Sequence, residues 1–155
     1  MTERALLHGT FTIERRFKAS REQVFNAFAD QNAKAQWFTG PPDWESLPGV
    51  FDFRVGGIET NSGGPKGGWV SKFVCRYHDI TPGERIVYVY DMFIDGTPMS
   101  TSLAIIELKP DGAGTHLVMT ESAAYYDQFA TRESLLGREH GTNALFDALA
   151  ASLER

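Results

Sequence analysis

From Arg132 to Leu153 the chain has no proline, and Leu135, Leu145, Leu149 and Leu153 recur at helical spacing. That pattern predicts one helix of about 22 residues, roughly 33 Å long. What precedes it is mostly strand. A long helix that follows a run of strands has to bury its apolar stripe against a sheet face, so its placement constrains the whole fold. Glu133, Arg138, Glu139, Asp147 and Glu154 are assigned to its water side.

The strands are read from a period of two. Residues 9–17 alternate, with Phe11, Ile13 and Arg15 on one face. Ser20 is an N-cap and Gln23, three residues on, completes a capping box. A short helix is therefore expected from Arg21 to Ala29. A second short helical piece runs from Asp30 toward Trp37 and Phe38 and is stopped by Gly40-Pro41-Pro42. Residues 50–55 and 58–60 are strand-like, and the glycine-rich stretch 61–68 is expected to be a flexible hairpin tip. Strands follow at 69–80, 85–94, 100–109 and 115–124, with Asp95-Gly96 as the clearest hairpin turn. The expected fold class is α+β: a curved antiparallel sheet wrapped around the C-terminal helix, with two short helices after the first strand. One domain, 1–155, is expected from the length.

Composition narrows the partners. The 155 residues are 42% hydrophobic and 23% charged, enough for a sizeable core. The formal net charge is −5 with Lys and Arg scattered, so no basic stripe offers itself to nucleic acid. No apolar run is long enough for a membrane span, and no signal-peptide pattern opens the chain. The lone Cys75 forms no internal disulfide, which points to a reduced, cytoplasmic setting. There is no His-Glu-x-x-His, Cys-x-x-Cys, Gly-x-Ser-x-Gly or Gly-x-Gly-x-x-Gly motif, so no metal and no cofactor is expected.

The faces assigned inward carry large rings: Phe51, Phe53, Phe73, Tyr77, Tyr88 and Tyr90, with Met92. The helix facing them offers small groups, among them Gly137, Gly141, Ala144 and Ala148. A curved sheet opposite small residues leaves space, and an apolar space with a few polar groups is what a small-molecule site looks like. The alternative is that the rings simply fill the core.

The stretch 17–28, Phe-Lys-Ala-Ser-Arg-Glu-Gln-Val-Phe-Asn-Ala-Phe, followed by Trp37-Phe38, resembles the opening of the Hsp90-ATPase-activator-homologue (Aha1 C-terminal-like) group of the START-like, or Bet v 1-like (SRPBCC), superfamily. Residues 51–54, 77–88, 114–121 and 139–142 agree, so the likeness covers nearly the whole chain. It implies a helix-grip fold. It leaves function open, because members of that superfamily are carriers, cyclases, sequestering proteins and co-chaperone domains.

Three readings follow. The first is binding of a small hydrophobic molecule by Trp37, Phe53, Phe73, Tyr77, Tyr88, Tyr90, Met92, Glu121, Gly141, Leu145 and Leu149. Trp37 serves either as a lid at the rim or as a hydrophobic anchor. The second is a cyclase- or hydrolase-like enzyme with Glu121 or His140 as acid/base. Glu121 shares the alternation of Leu117 and Met119 and so points inward, where burial would raise its pKa unless Arg15 or another cation pairs with it. His140 lies on the helix beside Gly141, either reaching the cavity mouth or sitting on the surface. The third is a protein-interaction domain with a chaperone partner, as the resemblance implies. A homodimer through a sheet edge or the helix stays open. Cys75, in phase with Phe73 and Tyr77, is read as a small buried hydrophobe.

Overall fold

The computed structural model describes residues 4–47 and 49–155. Strand β1 (Leu6–Phe17) leads into helices α1 (Arg21–Ala29) and α2 (Gln31–Ala35). Strands β2 (Trp44–Leu47), β3 (Ile58–Pro65), β4 (Ser71–Thr81), β5 (Arg85–Ile94), β6 (Thr97–Asp111) and β7 (Gly114–Tyr126) follow, and helix α3 (Arg132–Leu153) ends the fold. The strands form one curved antiparallel sheet in the order β1-β7-β6-β5-β4-β3-β2. The expected α+β helix-grip architecture is therefore present.

Local chemistry explains the element ends. Ser20 accepts from the Gln23 N–H while the Gln23 side chain accepts from the Ser20 N–H, which satisfies two otherwise orphaned donors at the start of α1. Asp30 caps α2 through the Ala33 N–H, and Thr131 caps α3 through the Ser134 N–H. Both residues of the β5–β6 turn have positive φ, 49° at Asp95 and 80° at Gly96, as a type I′ hairpin requires. Gly96 has open space where a Cβ would stand, so its role is conformational rather than steric. Gly96→Ala is expected to cost about 1 kcal/mol and to lower the melting temperature by roughly 2–4 °C in a thermal unfolding scan.

Two expected stretches differ. Residues 50–55 do not form a strand; Phe51 makes only an isolated bridge to Glu59. Their donors are divided: the Val50 N–H donates to Thr60 Oγ1 and the Asp52 N–H to the Ile58 carbonyl, while the Arg54 N–H turns back on the Asp52 carbonyl. The apparent alternation reflects Phe51 and Phe53 turning inward from a loop while Asp52 and Arg54 pair outside. Conversely, residues 61–65 are not a hairpin tip. They continue β3, which pairs with β4 and with the short edge strand β2, a strand that no alternation signals. Glycine permits this close approach: a Cβ on Gly64 would overlap the Trp69 carbonyl oxygen.

The core lies under the concave face of the sheet. Phe11, Ile13, Phe17, Ile106, Leu108, Leu117 and Met119 from the strands meet Val24, Phe28 and Trp37, with Phe146 and Leu149 of α3 on the other side. Arg15 of β1 ties the helix down by donating to Asp147 Oδ1 (2.8 Å) and to the Asn143 carbonyl (3.0 Å). Among the described residues no helix is long and apolar enough to cross a membrane.

Candidate functional site: a cavity between two buried ion pairs

Only the C-terminal half of α3 closes fully on the sheet, through Thr142, Phe146 and Leu149. Along its first half Leu135 packs on Gly9 of β1 and Arg138 reaches the sheet, while Gly137 and Gly141 present no side chains to fill the space between. A cavity of about 950 Å³ results, bounded by the inner face of the sheet, by α2 with the loop after it, and by α3. Trp37, Phe53, Phe73, Tyr77, Tyr88, Tyr90, Met92, Glu121, Gly141 and Leu145 line it. Leu149 lies outside the lining, fully buried in the core. Phe51 belongs to a smaller recess beside Lys34 and Glu59. Trp44 and Trp69 stand edge to face, 5.0 Å apart, and also border the cavity.

One wall is a ladder of rings. Tyr77, Tyr88 and Tyr90 follow one another at centroid distances of 5.9 Å. Phe73 packs on Tyr90 at 5.0 Å and Phe53 on Tyr77 at 4.9 Å. Trp37 is 2% exposed, and its indole N–H donates to the Ala27 carbonyl at 2.9 Å. That geometry describes an anchor rather than a mobile lid.

A polar cluster surrounds Glu121. This carboxylate, 0% exposed, is opposite Ala104 on β6, whose small side chain leaves it room. The Tyr90 hydroxyl donates to it at 2.8–2.9 Å. Arg138 Nη1 donates to the Tyr90 hydroxyl (2.9 Å), to Ser102 Oγ (3.2 Å) and to Glu121 (3.4 Å), and Nη2 to Ser100 Oγ (2.8 Å). Burial pushes the Glu121 carboxyl above its ordinary range, against the pull of Arg138, Tyr90 and Ser102. Burial likewise raises the Tyr90 hydroxyl. For Arg138, burial works against the charge, but the oxygens of Tyr90, Tyr125 and Glu121 more than offset it.

Arg138 is thus corrected from the water side to the inside; its side chain is only 13% exposed. The signal was in its position. Arg138, Thr142, Leu145 and Leu149 stand four, three and four residues apart, on one helical stripe. Assigning faces by charge alone hid it. The cation that pairs with Glu121 is therefore Arg138; Arg15 is engaged with Asp147.

A second cluster joins α2 to β3 and β4. Lys34 Nζ donates to Glu59 Oε1 at 2.6 Å, and the Tyr77 hydroxyl donates to the same oxygen. All three are buried, and Lys34 and Tyr77 also line the cavity. Burial and then the Glu59 charge raise the Tyr77 hydroxyl. Sequence reasoning missed Lys34 and Glu59. Lys34 precedes Trp37 and Phe38 by three and four residues, a weak helical cue. Glu59 offered none, because its neighbour Ile58 is the apolar residue and yet faces out, 37% exposed.

His140 is exposed and does not line the cavity, so the structure does not bring it to Glu121. His116 is half-buried and bonds Glu14 at 3.0 Å. Cys75 is 1% exposed, and its thiol is pushed up to about 12 by burial first and by the Glu59 charge, with Lys34 pulling the other way. In the folded protein Cys75 should resist a thiol reagent such as DTNB at pH 8 and react fully in denaturant; rapid native labelling would contradict its burial. Among the described residues no three His, Cys, Asp or Glu side chains converge as a metal site.

A curved antiparallel sheet gripping a long C-terminal helix, with the cavity held between them, defines the SRPBCC or Bet v 1-like class. Within it, the chain belongs to the family described as Activator of Hsp90 ATPase homolog 1-like protein, whose profile matches residues 18–154. Solved structures agree. The Mll3558 protein from Rhizobium loti is 40% identical, with a TM-score of 0.87 over 96% of this chain and 99% of that one. A protein from Rhizobium leguminosarum is 36% identical, with a TM-score of 0.91 over 99% of each chain. An AHSA1-like protein from Aeromonas hydrophila, 20% identical, shares the fold with a TM-score of 0.71 over 94% of this chain and 92% of that one. No curated protein matches the chain.

Proposed function

We propose that this protein binds a small, largely apolar molecule between its sheet and α3. The observation that carries the reading is the cavity itself: about 950 Å³, walled by rings and methionines, with its buried charges in two internally paired clusters and the exposed Glu133 at its edge. A core that existed only for stability would close such a space, because each unfilled volume forfeits packing energy. Members of this fold class commonly bind hydrophobic ligands, which agrees with the reading. Burying a ring-sized ligand there contributes several kcal/mol at about 25 cal/mol per Å² of apolar surface.

The test is native mass spectrometry of freshly purified protein, set against the same sample after denaturation. A reproducible extra mass that is lost on denaturing is the expected result. Apo protein that also leaves a panel of apolar dyes unbound would sink the proposal.

A further inference from the structure

The two buried ion pairs bear on what kind of molecule the cavity accepts. This step rests on the binding role just proposed. Lys34–Glu59–Tyr77 lies on the β3–β4 side of the cavity, and Arg138–Glu121–Tyr90 lies on the β5–β7 side. Between them stands Tyr88, which lines the cavity. Tyr88 is 5.9 Å, ring to ring, from both Tyr77 and Tyr90.

In each cluster the cation is already matched by one carboxylate, and the tyrosine hydroxyl is committed to that carboxylate. A ligand carrying a further full charge would leave one charge unpaired beside the two buried pairs, which is costly. What remains on offer is donor capacity. An ammonium has three N–H groups and a guanidinium five, more than the bonds Lys34 and Arg138 make to their partners. On the acceptor side Glu121 already receives Tyr90 on both oxygens and Arg138 on one, and the unpartnered Tyr125 hydroxyl beside Arg138 is buried away from the cavity lining.

We infer that the ligand is a neutral, elongated, flat molecule with a hydrogen-bond acceptor such as a carbonyl at each end, one end received by Lys34 and the other by Arg138. The ring ladder holds the apolar middle, since flat faces stack on tyrosine and phenylalanine without needing a polar partner. Two separated acceptors, rather than one, distinguish this ligand from a generic apolar guest.

The experiment measures dissociation constants by equilibrium dialysis at pH 8 for four probes on one scaffold. They are 4,4′-diacetylbiphenyl, 4-acetylbiphenyl, biphenyl and biphenyl-4-carboxylate. The expected order is diacetyl tightest, with a loss of roughly tenfold for each acceptor removed. The carboxylate should bind roughly tenfold or more weakly than 4-acetylbiphenyl. In the paired variants Lys34→Met/Glu59→Gln and Arg138→Met/Glu121→Gln, which remove both partners of a cluster together, the diacetyl probe should fall to the level of the monoacetyl one. Biphenyl, which has no acceptor to lose, should lose less affinity than the diacetyl probe does.

Equal affinities for the three uncharged probes would overturn the two-acceptor inference and leave the binding role standing. Tightest binding by the carboxylate would overturn the neutrality argument in the same way. If none of the four binds, the inference fails, while the binding role is decided by the mass-spectrometric and dye test above. The wild-type series decides the matter even where a paired variant does not fold.

Discussion

Arg138→Met should cost about 3–5 kcal/mol of unfolding free energy at pH 8, because it strands a buried carboxylate without its cation. Glu121 is fully buried, and Arg138 is the only cation bonded to it among the described residues. The loss has a pH signature. Burial already holds the Glu121 carboxyl above its ordinary value, and removing Arg138 takes away the largest influence that lowers it. The folded state then binds more protons than the unfolded state between the ordinary carboxyl value, about 4.3, and the raised one. Across that window stability falls as pH rises. The deficit of the variant should therefore be smallest near pH 4, where both states are protonated, and should grow toward pH 8. Adding Glu121→Gln should recover most of it and flatten the pH dependence, since the amide can still accept from Tyr90 and has no charge to strand. Urea unfolding at several pH values measures this. A deficit that is equal at pH 4 and pH 8, and untouched by the second substitution, would show that the pair is not its source.

Trp37→Ala should be comparably damaging, about 3–5 kcal/mol, as expected for an aromatic removed from a packed core. Trp37 touches Phe28, Phe38 and Phe146 at ring-centroid distances of 4.9, 5.7 and 6.3 Å. It thereby joins the end of α1, the segment after α2 and the inner face of α3. Its N–H also satisfies the Ala27 carbonyl, which lies near the end of α1 where the helix leaves acceptors unpaired. Trp37→Phe keeps much of the packing but orphans that carbonyl, and should cost about 1–3 kcal/mol. Denaturation followed by far-ultraviolet circular dichroism separates the two. A loss below about 1 kcal/mol for the alanine variant, against the usual range for buried rings, would mean that Trp37 moves freely as a lid.

Both expectations concern residues whose importance the chain announces unequally. Trp37 stands out in the sequence as a large ring after a capped helix. Arg138 does not, because an arginine on a helix among glutamates looks like any solvated charge. The same contrast runs through the site. The rings of β4 and β5 follow the strand period and were legible, as was the inward phase of Glu121 after Leu117 and Met119. Lys34 and Glu59 were not legible, since their burial depends on each other and on Tyr77, brought together from three separate elements.

What the sequence determined by itself is the set of elements whose signals are local: the capped α1, the Asp95-Gly96 hairpin, the alternating strands and the proline-free α3. These rest on interactions within a few residues, so they survive reading in one dimension. Tertiary structure alone decided three further matters. It turned 50–55 into a loop and 61–65 into a paired strand, because backbone groups there find partners that no local pattern specifies. It turned Arg138 inward, because only the assembled sheet supplies Ser100, Ser102, Tyr90 and Glu121 to receive it. And it left the cavity open, because whether facing rings and glycines meet or stand apart depends on how the sheet curves away from the helix, a distance that no spacing along the chain records.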